Sequence, residues 1–328
     1  MPKHPLPTAL TASVLFALLA MPSLASEKLV LYTSQPNSDA QQTVDAFRAA
    51  HPDVEVEWVR DGTTQLMTRL RSELSAGVSN PDVLLIADSM TMESLKREGH
   101  LQAYLSPERE AYAGELYDPE GYYYGTKLIT TGIVYNVGAE RQPQSWQELI
   151  QPEYAGQVTM PSPLYSGAAL IHMASIEAHP ELGAGYFDAL QANRTEAQGG
   201  NGGVFNAVAA GSKPYGIVVD FLPIREAAKG SPVAFVFPEE GVSAVTEPVA
   251  IMQSARNLEA AQKFVDFVLS REGQELVSEQ GYLPAHPEVT PPEGFPARDD
   301  IVLMPLDTQN ALAREAELKQ RFGDLFGS

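Results

Sequence analysis

Five polar loops along the chain carry side chains and backbone groups that could together bind an oxyanion. Each loop precedes a segment whose apolar residues recur at helical spacing, and four of the five follow a run predicted as a strand. Hydroxyl groups donate hydrogen bonds, and the unpaired N–H groups of a helix start lie at the positive end of the helix dipole. The candidate residues in these loops are Ser34, Thr63, Thr64, Asp88, Ser89, Ser162, Ser166, Gly167 and Asn201.

A second interpretation of these loops is purely structural. Ser, Thr, Asp and Asn are the residues most often found at helix N-caps, so any one loop taken alone fits a capping role. The same composition recurs, however, in loops of both halves of the chain. This recurrence favours a shared anion site over a set of independent caps.

Four further residues could contact a ligand beside these loops. Arg60 follows an alternating strand pattern and Lys127 lies in a long extended segment, so each cation could face the site or solvent. Asp220 ends a buried apolar run, where its carboxylate could accept a hydrogen bond from a ligand amine or hydroxyl, or could cap the next helix. Tyr124 belongs to the aromatic run Tyr122–Tyr124, which could bracket a ligand, bind ferric iron or pack in the core.

Three successive strand–helix units in the first half of the chain would position these loops. Leu29–Tyr32 and Asp82–Ala87 are short apolar runs, and Val54–Val59 alternates as a half-buried strand does. Apolar residues at helical spacing follow each of them. Consecutive strand–helix units predict a parallel sheet with helices on both faces, and ligands of such sheets bind beyond the carboxyl ends of the strands.

A second copy of this architecture is predicted from the apolar runs 158–160 and 215–219. Two extended segments, 122–136 and 247–252, could carry the chain between the copies. We therefore predict an α/β protein of two lobes, each a parallel-type sheet with flanking helices, joined by a two-crossing hinge. The predicted boundaries are 26–128 plus 248–300 for lobe 1 and 129–247 plus 301–328 for lobe 2.

The first 25 residues have the pattern of a secretory signal peptide. A basic start at Lys3 precedes an apolar run from Thr8 to Ala20, and small residues end at Ala25, where a signal peptidase would cut. The apolar run of about 13 residues is shorter than the ~20 that a membrane-spanning helix needs. We therefore expect residues 1–25 to be removed on export and the mature chain to reside in the periplasm.

Composition and motifs exclude several classes of function. With 42 acidic and 22 basic residues the formal net charge is −20, which disfavours binding to nucleic acid. The absence of cysteine excludes disulfides, thiolate metal sites and a cysteine nucleophile. The chain has no nucleophile elbow, zinc-protease helix or Walker loop, and its six histidines are scattered singly. We expect a monomeric binding protein without a cofactor rather than an enzyme.

Several short motifs occur in an order typical of one known family. They are Tyr32–Ser34, Arg60–Thr64, Pro81–Val83, Gly132–Asn136, Pro143–Trp146, Glu247–Ile251 and Gly281–Pro284. Together they span nearly the whole predicted mature chain, which resembles bacterial extracellular solute-binding proteins of the ferric-iron, 2-aminoethylphosphonate and sugar-phosphate importer group. The resemblance implies the two-lobed type II periplasmic-binding-protein fold and an ABC permease of the inner membrane as partner.

The resemblance also bears on the ligand. Ferric-binding members of that group coordinate iron with two adjacent tyrosines at the strand end that corresponds to residues 215–221, where this chain has Val219-Asp220-Phe221. Members that bind phosphonates or phosphate esters instead use hydroxyls, backbone amides and a carboxylate. The residues that match this second pattern are Thr63, Thr64, Ser162, Ser166 and Asp220.

We therefore predict that the ligand is a small anionic or zwitterionic compound, such as 2-aminoethylphosphonate or an organophosphate. Ferric iron bound through Tyr122, Tyr123 or Tyr165, with a carboxylate, is the alternative within the same class of protein. More distant alternatives are a periplasmic sensor subunit, which would use the same clamp, and a periplasmic hydrolase.

Overall fold

The computed structural model describes Met1 and residues 27–327 of the chain. The predicted signal peptide therefore lies, apart from Met1, outside the described residues. Within the described part of the chain, no helix combines the length and the apolar character needed to cross a membrane.

The described residues form strands that we number in chain order. They are β1 Glu27–Thr33, β2 Val54–Arg60, β3 Val83–Leu85, β4 Leu101–Gln102, β5 Tyr124–Gly125, β6 Lys127–Asn136, β7 Val158–Pro161, β8 Glu196–Gln198, β9 Tyr215–Val219, β10 Val233–Val236, β11 Ser243–Val245, β12 Pro248–Met252 and β13 Leu283–Pro284.

The α-helices are numbered in the same way. They are α1 Asn37–Ala50, α2 Thr63–Ser75, α3 Ser89–Arg97, α4 Trp146–Leu149, α5 Gly167–Ala178, α6 Tyr186–Ala192, α7 Asn201–Ala209, α8 Phe221–Ala228, α9 Leu258–Leu269, α10 Arg271–Glu279, α11 Thr308–Ala313 and α12 Glu315–Phe326. Short 3-10 turns lie at Pro107–Ala111, Gly114–Leu116, Pro152–Tyr154 and Arg298–Asp300.

The strands form two separate sheets, and we call each sheet with its helices a lobe. The sheet of lobe 1 has the order β2-β1-β3-β12-β4, with β5 also paired to β12. The sheet of lobe 2 has the order β10-β6-β9-β7-β8, with β11 and β13 also paired to β6. Strand β13 lies in the segment 248–300 that the sequence predicts for lobe 1, yet it pairs with β6 of the lobe 2 sheet. The exact lobe boundaries stay a prediction.

Both sheets are mixed, although the sequence pattern predicts a parallel type. In lobe 1, β1 pairs with β2 and β3 in parallel, as the strand–helix units require. The connecting strands run the other way: β12 is antiparallel to β3, and β6 is antiparallel to β9. A strand that enters a sheet directly from the other lobe has no crossover helix to reverse its direction, so it adds an antiparallel pair.

Strand β1 shows why the first sheet is covered on both faces. Leu29 and Leu31 pack with Phe47 of α1 on one face, whereas Tyr32 packs with Leu66 of α2 on the other. Successive side chains of a strand point to opposite faces, so an apolar run without alternation requires a helix layer on each side.

The chain passes from one sheet to the other in two segments, around Thr126 and around Thr246, which we call the crossovers. The two crossovers lie side by side between the lobes. The backbone N–H groups of Thr126 and Lys127 both donate to the carbonyl of Thr246, at 3.0 and 3.2 Å. The Thr126 hydroxyl donates to the carbonyl of Glu247 at 2.8 Å. These hydrogen bonds join the outgoing and the returning chain where each passes from one sheet to the other.

Helix α5 is buried along almost its whole length in lobe 2. His172 of this helix is 3% exposed, lies 3.0 Å from the Ser243 hydroxyl and packs against the ring of Trp146. Burial disfavours the charged imidazolium and lowers the pKa of His172 to about 3. His172 is therefore an uncharged core residue near neutral pH, and its buried ring does not suit a catalytic base.

The C-terminal segment touches both lobes. Helix α11 packs against α3 of lobe 1, and α12 packs against α5 and α6 of lobe 2. Arg314 and Arg321 bind the carboxylate of Glu177 at 2.8 and 2.7 Å, and the Glu177 side chain is only 1% exposed. We call residues 308–326 the C-terminal strap.

Candidate functional site

Loops at the carboxyl ends of strands from both lobes line one cavity of about 340 Å³. Lobe 1 contributes the loops that follow β1, β2 and β3, and lobe 2 contributes those that follow β7, β8 and β9. Strands that end at the same edge of a sheet bring the starts of the following helices together. The polar residues of the lining are Ser34, Arg60, Thr63, Tyr165, Ser166, Asn201, Glu247 and Tyr282.

Four helices have an N-cap residue in the cavity lining, α1 and α2 from lobe 1 and α5 and α7 from lobe 2. These N-cap residues are Pro36, Gly62, Ser166 and Gly200. Helix α1 has Asp39 in its first turn, whereas α2, α5 and α7 have no acidic residue there. The positive dipole ends of these last three helices are therefore not neutralised within the helix, which favours an anion between the lobes.

Among the described residues of the lining, Arg60 is the one with a cationic side chain. Its Nε donates to the carbonyl of Gln35 at 2.8 Å, which fixes the guanidinium at the end of β2. Its Nη1 donates to the hydroxyl of Tyr165 at 3.3 Å, across the space between the lobes. Arg60 adds a fixed positive charge to the helix dipoles on the lobe 1 side.

Ser166 and Asn201 are joined to each other on the lobe 2 side. Asn201 Nδ2 donates to the Ser166 hydroxyl oxygen at 3.2 Å, and its Oδ1 accepts from the backbone of Val219. The Ser166 oxygen also accepts from the backbone N–H of Ala169 at 3.3 Å, the ordinary capping bond. Since both bonds use the oxygen as acceptor, the Ser166 hydroxyl proton stays available for a ligand. Ser166 is a cap and a cavity residue together.

The lobes approach closely at two glycines. A methyl group on Gly62 of lobe 1 would lie 2.7 Å from the carbonyl oxygen of Tyr165 in lobe 2. A methyl group on Gly167 of lobe 2 would lie 2.4 Å from Oδ2 of Asp88 and 2.6 Å from the carbonyl oxygen of Ala87 in lobe 1. Only glycine leaves room for this contact, so the two residues set how near the lobes come.

A buried ion pair lies where the crossovers meet the cavity. Lys127 Nζ is 2.5 Å from Glu247 Oε2, although the angles do not suit a hydrogen bond, and the two residues are 1% and 2% exposed. The ammonium group also lies 4.2 Å from the centre of the Tyr282 ring. Burial raises the pKa of Glu247, while the charge of Lys127 opposes that shift.

The structure brings half of the sequence-predicted site residues into the cavity lining. Thr64 and Asp88 line a neighbouring cavity of about 170 Å³ that shares Thr63 and Gly167 with the first. Ser89, Ser162, Tyr124 and Asp220 line neither cavity. The predicted residues that line the first cavity are Ser34, Arg60, Thr63, Ser166, Gly167 and Asn201.

Asp220 lies at the predicted strand end, but its carboxylate turns away from the cavity. Oδ2 accepts from the backbone and the hydroxyl of Thr130, at 2.9 and 2.7 Å, and Oδ1 accepts from the backbone of Phe221 at 2.7 Å. Asp220 is 1% exposed, and burial raises its pKa to about 7 against these hydrogen bonds. It caps α8 and ties that helix to the adjacent strand β6.

Tyr124 is also directed into the protein rather than the cavity. Its hydroxyl donates to the carbonyl of Tyr104 at 2.5 Å, and its ring stacks on Tyr117 in the core of lobe 1. The neighbouring Tyr122 and Tyr123 pack against the other face of the lobe 1 sheet. These three tyrosines therefore form part of the packing of lobe 1.

The other predicted loop residues have local structural roles. The Ser162 hydroxyl accepts from the backbone of Leu164 at 3.1 Å. Asp88 caps α3 by accepting from the backbone of Thr91 at 2.5 Å, and Ser89 is the first residue of that helix. Burial raises the pKa of Asp88. Lys127, considered from the sequence as a cleft or surface residue, is buried beside Glu247 instead.

The sequence gives only weak signals for three polar residues of the lining. The sequence indicates Tyr165 only as a candidate iron ligand, and its position two residues before the start of α5 is the one sign that it lies at the cavity. Glu247 is the first residue of the predicted return crossing 247–252. Tyr282 lies in a motif of the family resemblance, and nothing local indicates that it faces a ligand.

The described residues contain no group of three or more His, Asp or Glu side chains that could hold a metal ion. Tyr165 and Tyr282 are the tyrosines of the cavity lining. The Tyr282 hydroxyl donates to Asp39 Oδ2 at 2.5 Å, so this phenol is already engaged.

Comparison with known protein families shows to which family the chain belongs. Residues 79–303 match the family described as bacterial extracellular solute-binding protein. The chain belongs to this family. The match covers most of both lobes, including the loops after β7, β8 and β9 that line the cavity. Family members are binding proteins, in line with the expectation from the sequence.

Relatives in this family have different stated ligands. The chain is 27% identical over 284 residues to the Fe(3+)-binding periplasmic protein of Serratia marcescens, a match that covers 83% of this chain and 82% of the relative. It is 26% identical over 300 residues to a putative 2-aminoethylphosphonate-binding periplasmic protein of Salmonella typhimurium, covering 84% of each. The comparisons therefore establish the family of this chain but not its ligand.

A solved structure with the same fold is the periplasmic binding protein AfuA of Actinobacillus pleuropneumoniae with fructose-6-phosphate bound. It superposes with a TM-score of 0.83 at 23% identity, covering 92% of this chain and 98% of AfuA. The α/β fold expected from the sequence, the two-lobed type II periplasmic-binding-protein fold, is thereby confirmed.

Proposed function

We propose that this solute-binding protein captures a small organic oxyanion, a phosphonate or a phosphate ester, in the cavity between its lobes. The observation that carries the proposal is the convergence of three helix N-termini, none with an acidic first turn, on the side chain of Arg60. Hydrogen bonds to an ionised acceptor are about twice as strong as neutral ones, so such a cradle favours a charged oxyanion.

The proposed ligand contacts come from both lobes. Arg60 and Thr63 with Ser34 lie on the lobe 1 side, whereas Ser166 and Asn201 lie on the lobe 2 side. Neither lobe alone encloses the oxyanion. The ligand would bind one lobe first, and movement about the two crossovers, acting as a hinge, would add the donors of the other lobe and expel water.

We further propose that the loaded protein delivers its ligand to an ABC permease of the inner membrane, acting as a monomer in the periplasm. The family assignment and the periplasmic relatives support this location. Mass spectrometry of the exported protein is expected to give a chain that starts at Ser26 or Glu27. A mature mass that retained residues 1–25 would contradict export by signal cleavage.

Ferric iron is the second candidate ligand, because the relative from Serratia marcescens is named as an Fe(3+)-binding protein and Tyr165 lines the cavity. Titration with ferric citrate distinguishes the two candidates, since iron bound to tyrosinate absorbs visible light. We expect no visible band. A strong band that Tyr165→Phe abolishes would favour iron and contradict the oxyanion proposal.

Calorimetry and thermal shift on the mature protein test the oxyanion proposal directly. The probes are alkylphosphonates, phosphate monoesters, and the corresponding alcohols and amines that lack phosphorus. A ligand at 100 times its dissociation constant raises the free energy of unfolding by about 2.7 kcal/mol. We expect this stabilisation from phosphorus oxyanions only, and its loss in Arg60→Gln. Stabilisation by the alcohols alone would contradict the proposal.

A further inference from the structure

Glu247 is the one acidic residue among the described residues that line the cavity. It lies between β11 and β12 and has a φ of 38°, a left-handed conformation that is uncommon for a residue other than glycine. Its carbonyl accepts from the Thr126 hydroxyl at 2.8 Å. The crossover therefore holds this side chain in place at the wall of the cavity, where it is 2% exposed.

The counter-ion of Glu247 lies behind it rather than in the cavity. Lys127 does not line the ligand cavity but a separate small void that it shares with Gln35 and Gln280. Its ammonium group is held between Glu247 Oε2 and the ring of Tyr282. Oε2, the oxygen nearest the ammonium group, is buried, and Glu247 as a residue lines the ligand cavity, which Lys127 does not.

A carboxylate in this position is unfavourable for a bare oxyanion. The rest of the lining attracts negative charge, whereas Glu247 repels it and needs a donor. A buried acceptor that a ligand covers without giving it a donor loses its hydration, and this loss weakens binding. A ligand that carries its own donor at a distance from the oxyanion removes the conflict.

We propose that Glu247 accepts a hydrogen bond from an ammonium or hydroxyl group that the ligand carries apart from its oxyanion. The ligand class is then a phosphonate or phosphate ester with a donor group, zwitterionic when that group is an amine. This inference rests on the proposed function and goes beyond it by assigning the second end of the ligand to one residue. A cavity of about 340 Å³ has room for both ends.

Three phosphonates of equal length test the assignment: 2-aminoethylphosphonate, 2-hydroxyethylphosphonate and propylphosphonate, in which a methyl group replaces the donor. Calorimetry on the wild type should give dissociation constants at least about tenfold lower for one or both donor-bearing ligands than for propylphosphonate. In Glu247→Gln, the affinity for 2-aminoethylphosphonate should fall by about tenfold or more, because the charge is lost. The affinity for propylphosphonate should not fall.

Two further variants separate ligand contact from a structural effect. Glu247→Gln leaves Lys127 buried without its counter-ion, so the double variant Glu247→Gln/Lys127→Met removes both charges of the pair. In the double variant, the preference for 2-aminoethylphosphonate over propylphosphonate should be lost as it is in Glu247→Gln. Asp220→Asn removes a buried carboxylate outside the cavity and should leave the discrimination unchanged.

Each contrary result has a distinct meaning. If the wild type binds neither the three phosphonates nor the phosphate monoesters of the stabilisation test, the proposed function fails and this inference fails with it. If all three bind the wild type equally, only the assignment of Glu247 fails. An equal loss of affinity for all three ligands in Glu247→Gln and in the double variant would overturn the assignment and leave Glu247 a structural residue of the crossover.

Discussion

The hydroxyl group of Tyr165 in lobe 2 lies 3.3 Å from Nη1 of Arg60 in lobe 1. The same hydroxyl lies 3.4 Å from Oδ1 of Asp61, so one phenol contacts two residues at the end of β2. Both distances are at the long end for hydrogen bonds. Tyr165 therefore connects the lobes beside the cavity through weak polar contacts and through its ring.

Tyr165→Phe removes these polar contacts and keeps the ring. We expect ligand binding to weaken by about fivefold, the effect of losing ~1 kcal/mol of hydrogen bonding. The melting temperature of the unliganded protein should not change, since no core contact is lost. Calorimetry and thermal unfolding measure the two quantities. Unchanged affinity would mean that the contact adds nothing to the bound state.

Gly62→Ala and Gly167→Ala should keep the lobes apart. The added methyl groups would lie 2.7 Å from the Tyr165 carbonyl oxygen and 2.4 Å from Asp88 Oδ2, distances that the present arrangement does not permit. We expect ligand affinity to fall by about tenfold or more, because donors of the second lobe no longer reach. The free energy of unfolding should be unchanged or slightly raised, since alanine restricts the unfolded chain.

Small-angle X-ray scattering with and without ligand checks this expectation, because it reports the radius of gyration. Ligand should compact the wild type but not the two variants. Gly199→Ala is the matched control, since a methyl group there meets no atom within 4 Å. Ligand-induced compaction of Gly62→Ala equal to that of the wild type would contradict the proposed closure.

Asp220 should make the protein less stable as pH rises. Its pKa of about 7 in the folded protein lies above the 3.8 of an unperturbed aspartate, so the folded state binds the proton more tightly. The stabilisation is full below pH 4 and is lost between about pH 4 and 7, by about 1.4 kcal/mol per pH unit. Urea unfolding of the wild type and Asp220→Asn measures this difference in slope. Parallel pH profiles would contradict the raised pKa.

His172 should have the opposite effect at lower pH. Its folded pKa of about 3 lies below the 6.5 of an unperturbed histidine, so the unfolded state binds the proton more tightly. The stabilisation from His172 is full above about pH 6.5 and is lost as pH falls toward 3, by about 1.4 kcal/mol per pH unit. His172→Gln, compared with the wild type in the same urea series, should lack this acid-dependent loss. An acid profile identical to that of the wild type would contradict the prediction.

The parts of the site that sequence predicts are those set by local structure. Thr63, Ser166 and Asn201 lie at helix starts, and Thr63 and Ser166 also follow runs predicted as strands. Parallel strands bring such loops to one edge of a sheet. The same reasoning predicts two lobes from two series of strand–helix units. Local patterns are sufficient here because neighbouring residues decide both the strand end and the helix start.

The parts that sequence does not predict depend on pairing between distant residues. Asp220 turns from the cavity because β9 lies beside β6, which places Thr130, 90 residues earlier, within reach of its carboxylate. Glu247 meets Lys127 only because two crossovers run side by side. No pattern of neighbouring residues in the sequence indicates the contact of Asp220 with Thr130 or that of Glu247 with Lys127. The acidic residue of the cavity could therefore not be assigned from the sequence.

The C-terminal strap attaches to both lobes without lining the 340 Å³ cavity. Contacts that hold the lobes near each other therefore exist before any ligand arrives, and they raise the fraction of empty molecules that are already in the binding-competent form. Apparent affinity scales with this fraction, whereas the ratio of affinities for two ligands does not. Substitutions in the strap should thus tighten or loosen binding of every ligand by one common factor, so that affinity can be adjusted independently of selectivity.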